Sequence, residues 1–111
     1  MGTWGIDIFQ DDLAVDVRDE YLEIIRTGLS TNEATKTIIE RFQDELGDPE
    51  EFNVFWISLA ATQVEHQLST LVKEKALDII QSGDDLERWM ADPRLYNERQ
   101  NILKQLMNKL L

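Results

Sequence analysis

The sequence predicts an all-α fold: a compact, irregular or orthogonal bundle of about six helices around a central apolar helix, with an extended N-terminal arm. Three observations carry that expectation. Helix start and stop residues recur along the whole chain at helix-length spacings. The segment FWISLAATQ is apolar almost all the way round when wound at about 100° per residue. The only strand-like alternation, Ile6-Asp7-Ile8, has no second strand to pair with, so it reads as part of the arm.

Taken in order, Asp11 or Asp12 caps a first helix that runs to about Thr27 and is stopped by Gly28. Ser30 and Glu33 have the spacing of a capping box for a second, expected to continue to Leu46 before Gly47. Asp48 caps a third with Pro49 at its first position, where a missing N–H is no loss, and the pattern extends to about Gln67. Ser69 opens a fourth that ends near Gln81, before Gly83. Asp84 or Asp85 starts a short fifth holding Leu86, Trp89 and Met90, closed by Asp92-Pro93. Pro93 opens a sixth that runs to the C-terminus. Connections this short suit neighbouring helices in one domain spanning residues 1–111.

Composition narrows the function classes. With 111 residues, 42% of them apolar, the chain can bury a core without disulfides or a structural metal. It contains no cysteine, which excludes disulfides, thiolate metal sites and cysteine nucleophiles and suits a reducing cytosol. Twenty-two acidic residues against eleven basic ones give a net charge of −11, which repels nucleic-acid phosphates and anionic lipids. No nucleic acid or membrane partner is expected, whereas a basic protein partner is favoured by the same field. No stretch approaches the roughly 20 apolar residues of a membrane span, and the start lacks a signal-peptide pattern, so the expected location is cytoplasmic. Gly2 does not open a myristoylation motif, because Ile6 stands where Ser or Thr is required. There is no glycine-rich phosphate loop, nucleophile elbow or metal-ligand spacing, so no catalytic residue, cofactor or metal is expected.

The helix faces supply the candidate residues. On the first helix Asp12, Asp16, Asp19, Glu20 and Glu23 share one arc opposite Leu13, Ala14, Val17, Tyr21, Leu22, Ile24 and Ile25. Carboxylates on the outside of one helix diverge, which suits a solvated or protein-docking face better than a cation cage. On the third helix the expected polar strip is Glu51, Ser58, Thr62 and Glu65, and Gln63 lies between apolar positions as a buried amide in need of partners. Arg18 and Arg99 fall within apolar stripes, so each must snorkel to water or pair inside, with Glu45, Asp7 and the acids capping the first helix as candidate partners. The lone histidine, His66, stands beside Glu65, but adjacent helical residues point about 100° apart and Glu65 cannot orient its ring. Trp4, Ile6, Ile8 and Phe9 carry enough apolar area to fasten the arm across the bundle, at about 1.5–3 kcal/mol per fully buried side chain.

The opening Met-Gly-x-Trp-Gly, with Gly2, Trp4, Gly5, Phe9, Asp12, Ala14 and Asp16, resembles an uncharacterised bacterial family, a domain of unknown function. The similarity extends through DVRDEYL, FWISLAATQ, VKEKALDII and DLERWMADP, and departs at Ile6-Asp7, where the family tends to carry Thr-Gly. It implies a bacterial cytosolic setting and brings no activity or binding residues.

These observations lead to the expectation of a non-enzymatic protein, monomeric or weakly self-associating, that acts through protein–protein contacts as a regulatory or accessory factor. Its interaction candidates are Asp12, Asp16, Asp19, Glu23, Trp4 and Trp89. A sharper version is an immunity-type inhibitor of a basic toxin. The competing class is a small-ligand binder or enzyme with a pocket between the first, third and sixth helices, which would need Arg18 or Arg99 to meet His66 or convergent carboxylates.

Overall fold

Polar side chains at the helix starts and glycines at the turns set the architecture. In the computed structural model the described residues are 8–10 and 12–111. They form a 3-10 turn at Ile8–Gln10, then α1 (Asp12–Arg26), α2 (Thr31–Arg41), α3 (Gln43–Leu46), α4 (Pro49–Gln63), α5 (Thr70–Ser82), a 3-10 segment Asp84–Trp89, and α6 (Pro93–Leu110). Among the described residues there is no strand, and the chain is an all-α bundle. Its radius of gyration of 13.5 Å is close to the roughly 13 Å expected of a packed chain this long.

The caps act as their spacing implies. Ser30 and Glu33 make a reciprocal capping box at α2. The Asp48 carboxylate accepts the Glu50 and Glu51 N–H groups at 2.9 and 3.1 Å, and Asp92 accepts those of Arg94 and Leu95 at 3.0 and 3.4 Å. In both helices proline occupies the first turn. Gly28 and Gly83 take φ of +96° and +78°, the left-handed region that closes a helix and that only glycine enters without strain. A Cβ at Gly83 would meet no atom within 4 Å, so Gly83→Ala isolates the backbone term. Thermal unfolding of that variant should show a loss of about 1–2 kcal/mol; a shift under a few tenths would mean that this turn relaxes at no cost.

Five expectations are corrected. The second helix breaks at Phe42 (φ −111°, ψ 25°) instead of running unbroken to Leu46, and the break seats the Phe42 ring in the core, 5.6 Å from that of Phe55. The central helix ends at Gln63 rather than Gln67, because Glu65 and His66 donate to the Thr62 and Gln63 carbonyls in tighter 3-10 fashion and the chain turns away. The short fifth helix is a 3-10 segment, and Ile8 belongs to a 3-10 turn rather than an extended arm. Ser58 and Thr62 are buried, not part of a polar strip; their hydroxyls donate to the Phe55 and Ser58 carbonyls at 3.1 and 2.9 Å, which removes the penalty of burying them. Trp4, Ile6 and Asp7, and with them most of the predicted arm, lie outside the described residues.

The core forms around α4, whose Val54, Phe55, Trp56, Ile57, Leu59 and Ala60 are all buried. Its closest neighbours are α1 and α5, which bring Val17, Tyr21 and Ile24 on one side and Val72, Ala76 and Ile79 on the other. Fully buried Ala60 lets a neighbouring helix axis come close. Ile8 packs onto the same cluster from the 3-10 turn.

Candidate interaction surface

The periodicity of α1 turns one face to the core and leaves the opposite one to water. Asp12, Asp16, Asp19 and Glu23 are exposed and run along about 16 Å of helix axis, while Ala14, Val17, Tyr21 and Ile24 are buried. Glu20 sits at the margin and pairs with Arg41 of α2, so it fastens two helices rather than facing outward. Asp19 pairs with Arg18 at 3.1 Å. Among the described residues, no cation pairs with Asp12, Asp16 or Glu23.

The two arginines part company. Arg18 is 38% exposed along its side chain, with its guanidinium 5.1 Å from the centre of the Phe9 ring, so it reaches water over an aromatic face. Arg99 is 2% exposed and forms a fork with Asp85, Nε to Oδ2 at 2.7 Å and Nη2 to Oδ1 at 3.2 Å. Of the two alternatives the sequence leaves open, Arg18 reaches water and Arg99 pairs inside, and the partner is neither Glu45, which is half-buried on α3, nor an acid of the first helix. By sequence alone Asp85 reads only as a helix start. The clue was the Asp92-Pro93 turn, which folds the 3-10 segment back along α6 and brings residues 14 apart together. Trp89, proposed as a surface anchor, is half-buried with its ring 6.0 Å from the Arg99 guanidinium.

Gln63 is fully buried at the end of α4 and joins three helices. Its Nε2 donates to Thr35 Oγ1 on α2 at 2.8 Å, and its Oε1 accepts the N–H of Ser69, the N-cap of α5, at 2.8 Å. Thr35 passes its own proton to the Thr31 carbonyl at 2.7 Å, and Thr31 Oγ1 donates to Gln67 at 2.9 Å. Tyr21 of α1 lies in the same group; burial pushes its phenol above the usual range, against hydrogen bonding by Gln63, Thr31 and Thr35. This node is occupied with holding the fold.

A cleft of about 320 Å³ opens between the first 3-10 turn, the end of α4 and α6, close to where the sequence placed a pocket. Its floor is Ile8, Phe9, Ala61, Val64, Ile102 and Leu106, with Glu65, Gln105 and Lys109 at the rim. Neither arginine nor His66 lines it, and His66 is exposed beyond the last turn of α4. The constellation required for an enzyme is therefore not assembled at this cleft. Among the described residues, no group of three or more His, Asp or Glu could hold a metal ion, and no helix is long and apolar enough to cross a membrane. Compared with protein families, curated proteins and solved structures, the chain matches none.

Proposed function

We propose that this chain is a non-enzymatic regulatory or accessory protein of a bacterial cytoplasm that docks a basic protein partner through the outer face of α1. The observation that carries the reading is the run of Asp12, Asp16, Asp19 and Glu23, exposed on one face with three of the four unpaired by any described cation. Like charges at helical spacing oppose one another by about 0.2–0.5 kcal/mol each, a small burden that a cationic partner would relieve. A net charge of −11 steers such a partner in at long range and discourages nucleic acid. Inhibition of a basic toxin is the most specific form of this reading.

The test is capture of basic proteins by tagged wild type and by the double variant Asp16→Lys/Glu23→Lys. Capture by wild type should weaken about tenfold as salt rises from about 50 to 300 mM, because the Debye length shortens to well under 10 Å. The variant should lose the low-salt capture while keeping the wild-type melting temperature, since both positions are exposed. Equal capture by both proteins at low salt would reject the reading.

The cleft beside α6 favours a second reading, a small-ligand binder. Its volume stands at the lower limit of ligand sites, about 300–1,000 Å³, and its floor is apolar. A metabolite that raises the melting temperature, with the rise abolished by Ala61→Trp in the cleft, would support it.

A further inference from the structure

We propose that the cleft between the first 3-10 turn, the end of α4 and α6 takes a free α-amino acid with an apolar side chain, whose carboxylate meets Lys109 and whose ammonium meets Glu65. This names the ligand class of the small-ligand reading and rests on it. Ile8, Phe9, Ala61, Val64 and Ile102 are only half-buried, so five apolar side chains from three elements converge on a space that the bundle leaves open. A volume of about 320 Å³ stands at the small end of ligand sites, which suits one branched or aromatic side chain better than a larger molecule.

The rim sets the chemistry of the head group. Glu65 follows the last turn of α4 and Lys109 lies in the last turn of α6, so two walls of the cleft each bring one charge, of opposite sign. Among the described residues neither forms an ion pair, with the other or with any third group, and the Gln105 side chain at the same rim makes no hydrogen bond. All three are exposed, so a ligand reaches them without breaking a contact of the fold. A lone organic anion is held off by the net charge of −11 and by Glu65, and a lone cation, although drawn by that field, meets Lys109. A zwitterion has no net charge for the field to act on and offers each rim residue its opposite. An α-amino acid carries both charges at one end and its side chain at the other, which is the order of a two-signed rim above an apolar floor. Burial of the side chain drives binding, and the exposed charge contacts select the head group.

Titration of the isotope-labelled full chain, followed by amide NMR shifts, tests this. The probes are L-leucine, isocaproate, which is leucine without its amine, isoamylamine, which is leucine without its carboxylate, and glycine, which lacks the side chain. L-Leucine should give saturable shifts centred on residues 61–65 and 102–109, and glycine none at the same concentrations. Each single-charge analogue should bind about two- to fivefold more weakly than L-leucine, the size of an exposed charge contact. Lys109→Gln should weaken L-leucine and isocaproate by about the same factor without weakening isoamylamine, and Glu65→Gln should weaken L-leucine and isoamylamine without weakening isocaproate. Both positions are exposed, so neither substitution threatens the fold. Analogues as tight as L-leucine, or variants that weaken all three probes alike, would overturn the amino-acid class and leave the cleft as a site for apolar ligands. L-Leucine shifts centred away from the cleft would overturn the proposed site, and no saturable response in the cleft to any probe would overturn the small-ligand reading with it.

Discussion

Asp85→Ala should destabilise the protein by about 3–5 kcal/mol, a substantial part of the 5–15 kcal/mol that holds a domain of this kind together. The reason is what remains behind. Arg99 keeps its charge at any accessible pH, is 2% exposed, and would face a methyl group where it had a carboxylate fork at 2.7 and 3.2 Å. Arg99→Met removes both bonds of the fork from the carboxylate of Asp85, also 2% exposed, and should likewise destabilise the protein. Replacing both, as Asp85→Val with Arg99→Met, should bring stability back to within about 1 kcal/mol of wild type, because the pair's attraction roughly offsets its own desolvation. Arg99→Lys should behave like a loss variant despite retaining the charge, since an ammonium cannot reproduce the two parallel bonds. Urea unfolding of the four variants decides the matter, read as shifts in midpoint at constant slope. Single variants within about 1 kcal/mol of wild type would show that the guanidinium escapes to solvent.

The contrast between Arg18 and Arg99 shows where sequence patterning stops being informative. Both interrupt apolar stripes, and periodicity treats them alike. What separates them is the surroundings of each stripe: Arg18 lies at the margin of α1 with solvent beyond it, while Arg99 lies under the 3-10 segment that Asp92 and Pro93 fold back over α6. Caps and breakers are local chemistry, readable within four residues, which is why the starts at Ser30, Asp48, Ser69 and Pro93 were legible. Pairings across 14 or 28 residues, such as Arg99 with Asp85 or Gln63 with Thr35, depend on how helices cross, and no local rule encodes that. The break at Phe42 belongs to the same class: its ring gains the Phe55 contact only once α2 and α4 are in place. Ser58 and Thr62 misled for a different reason, since hydroxyl residues look polar in a wheel yet satisfy themselves on the preceding turn when buried. The acidic face of α1 was legible because a one-sided run of carboxylates needs no tertiary context to lie outside.

Gln63→Met is the second substitution with a large expected effect, a loss of about 2–3 kcal/mol, although methionine nearly matches glutamine in shape and is far more at home in a core. Its side chain could fill the space, so the loss should come from the groups it leaves behind. The Ser69 N–H, buried at the first turn of α5, loses the acceptor at 2.8 Å and has no intrahelical partner to fall back on, being ahead of the helix ladder. Thr35 suffers less, because its hydroxyl proton is already given to the Thr31 carbonyl at 2.7 Å and only an acceptor position falls vacant. The two consequences can be separated. Thr35→Val, which leaves the Ser69–Gln63 bond in place, should lose about 1 kcal/mol, roughly the net value of an ordinary hydrogen bond, and the double variant with Gln63→Met should lose less than the sum, since the two share one bond. Near-wild-type stability for Gln63→Met would mean that water reaches the Ser69 amide, and the end of the bundle where α2, α4 and α5 meet would then be far more open than a fully buried Gln63 implies.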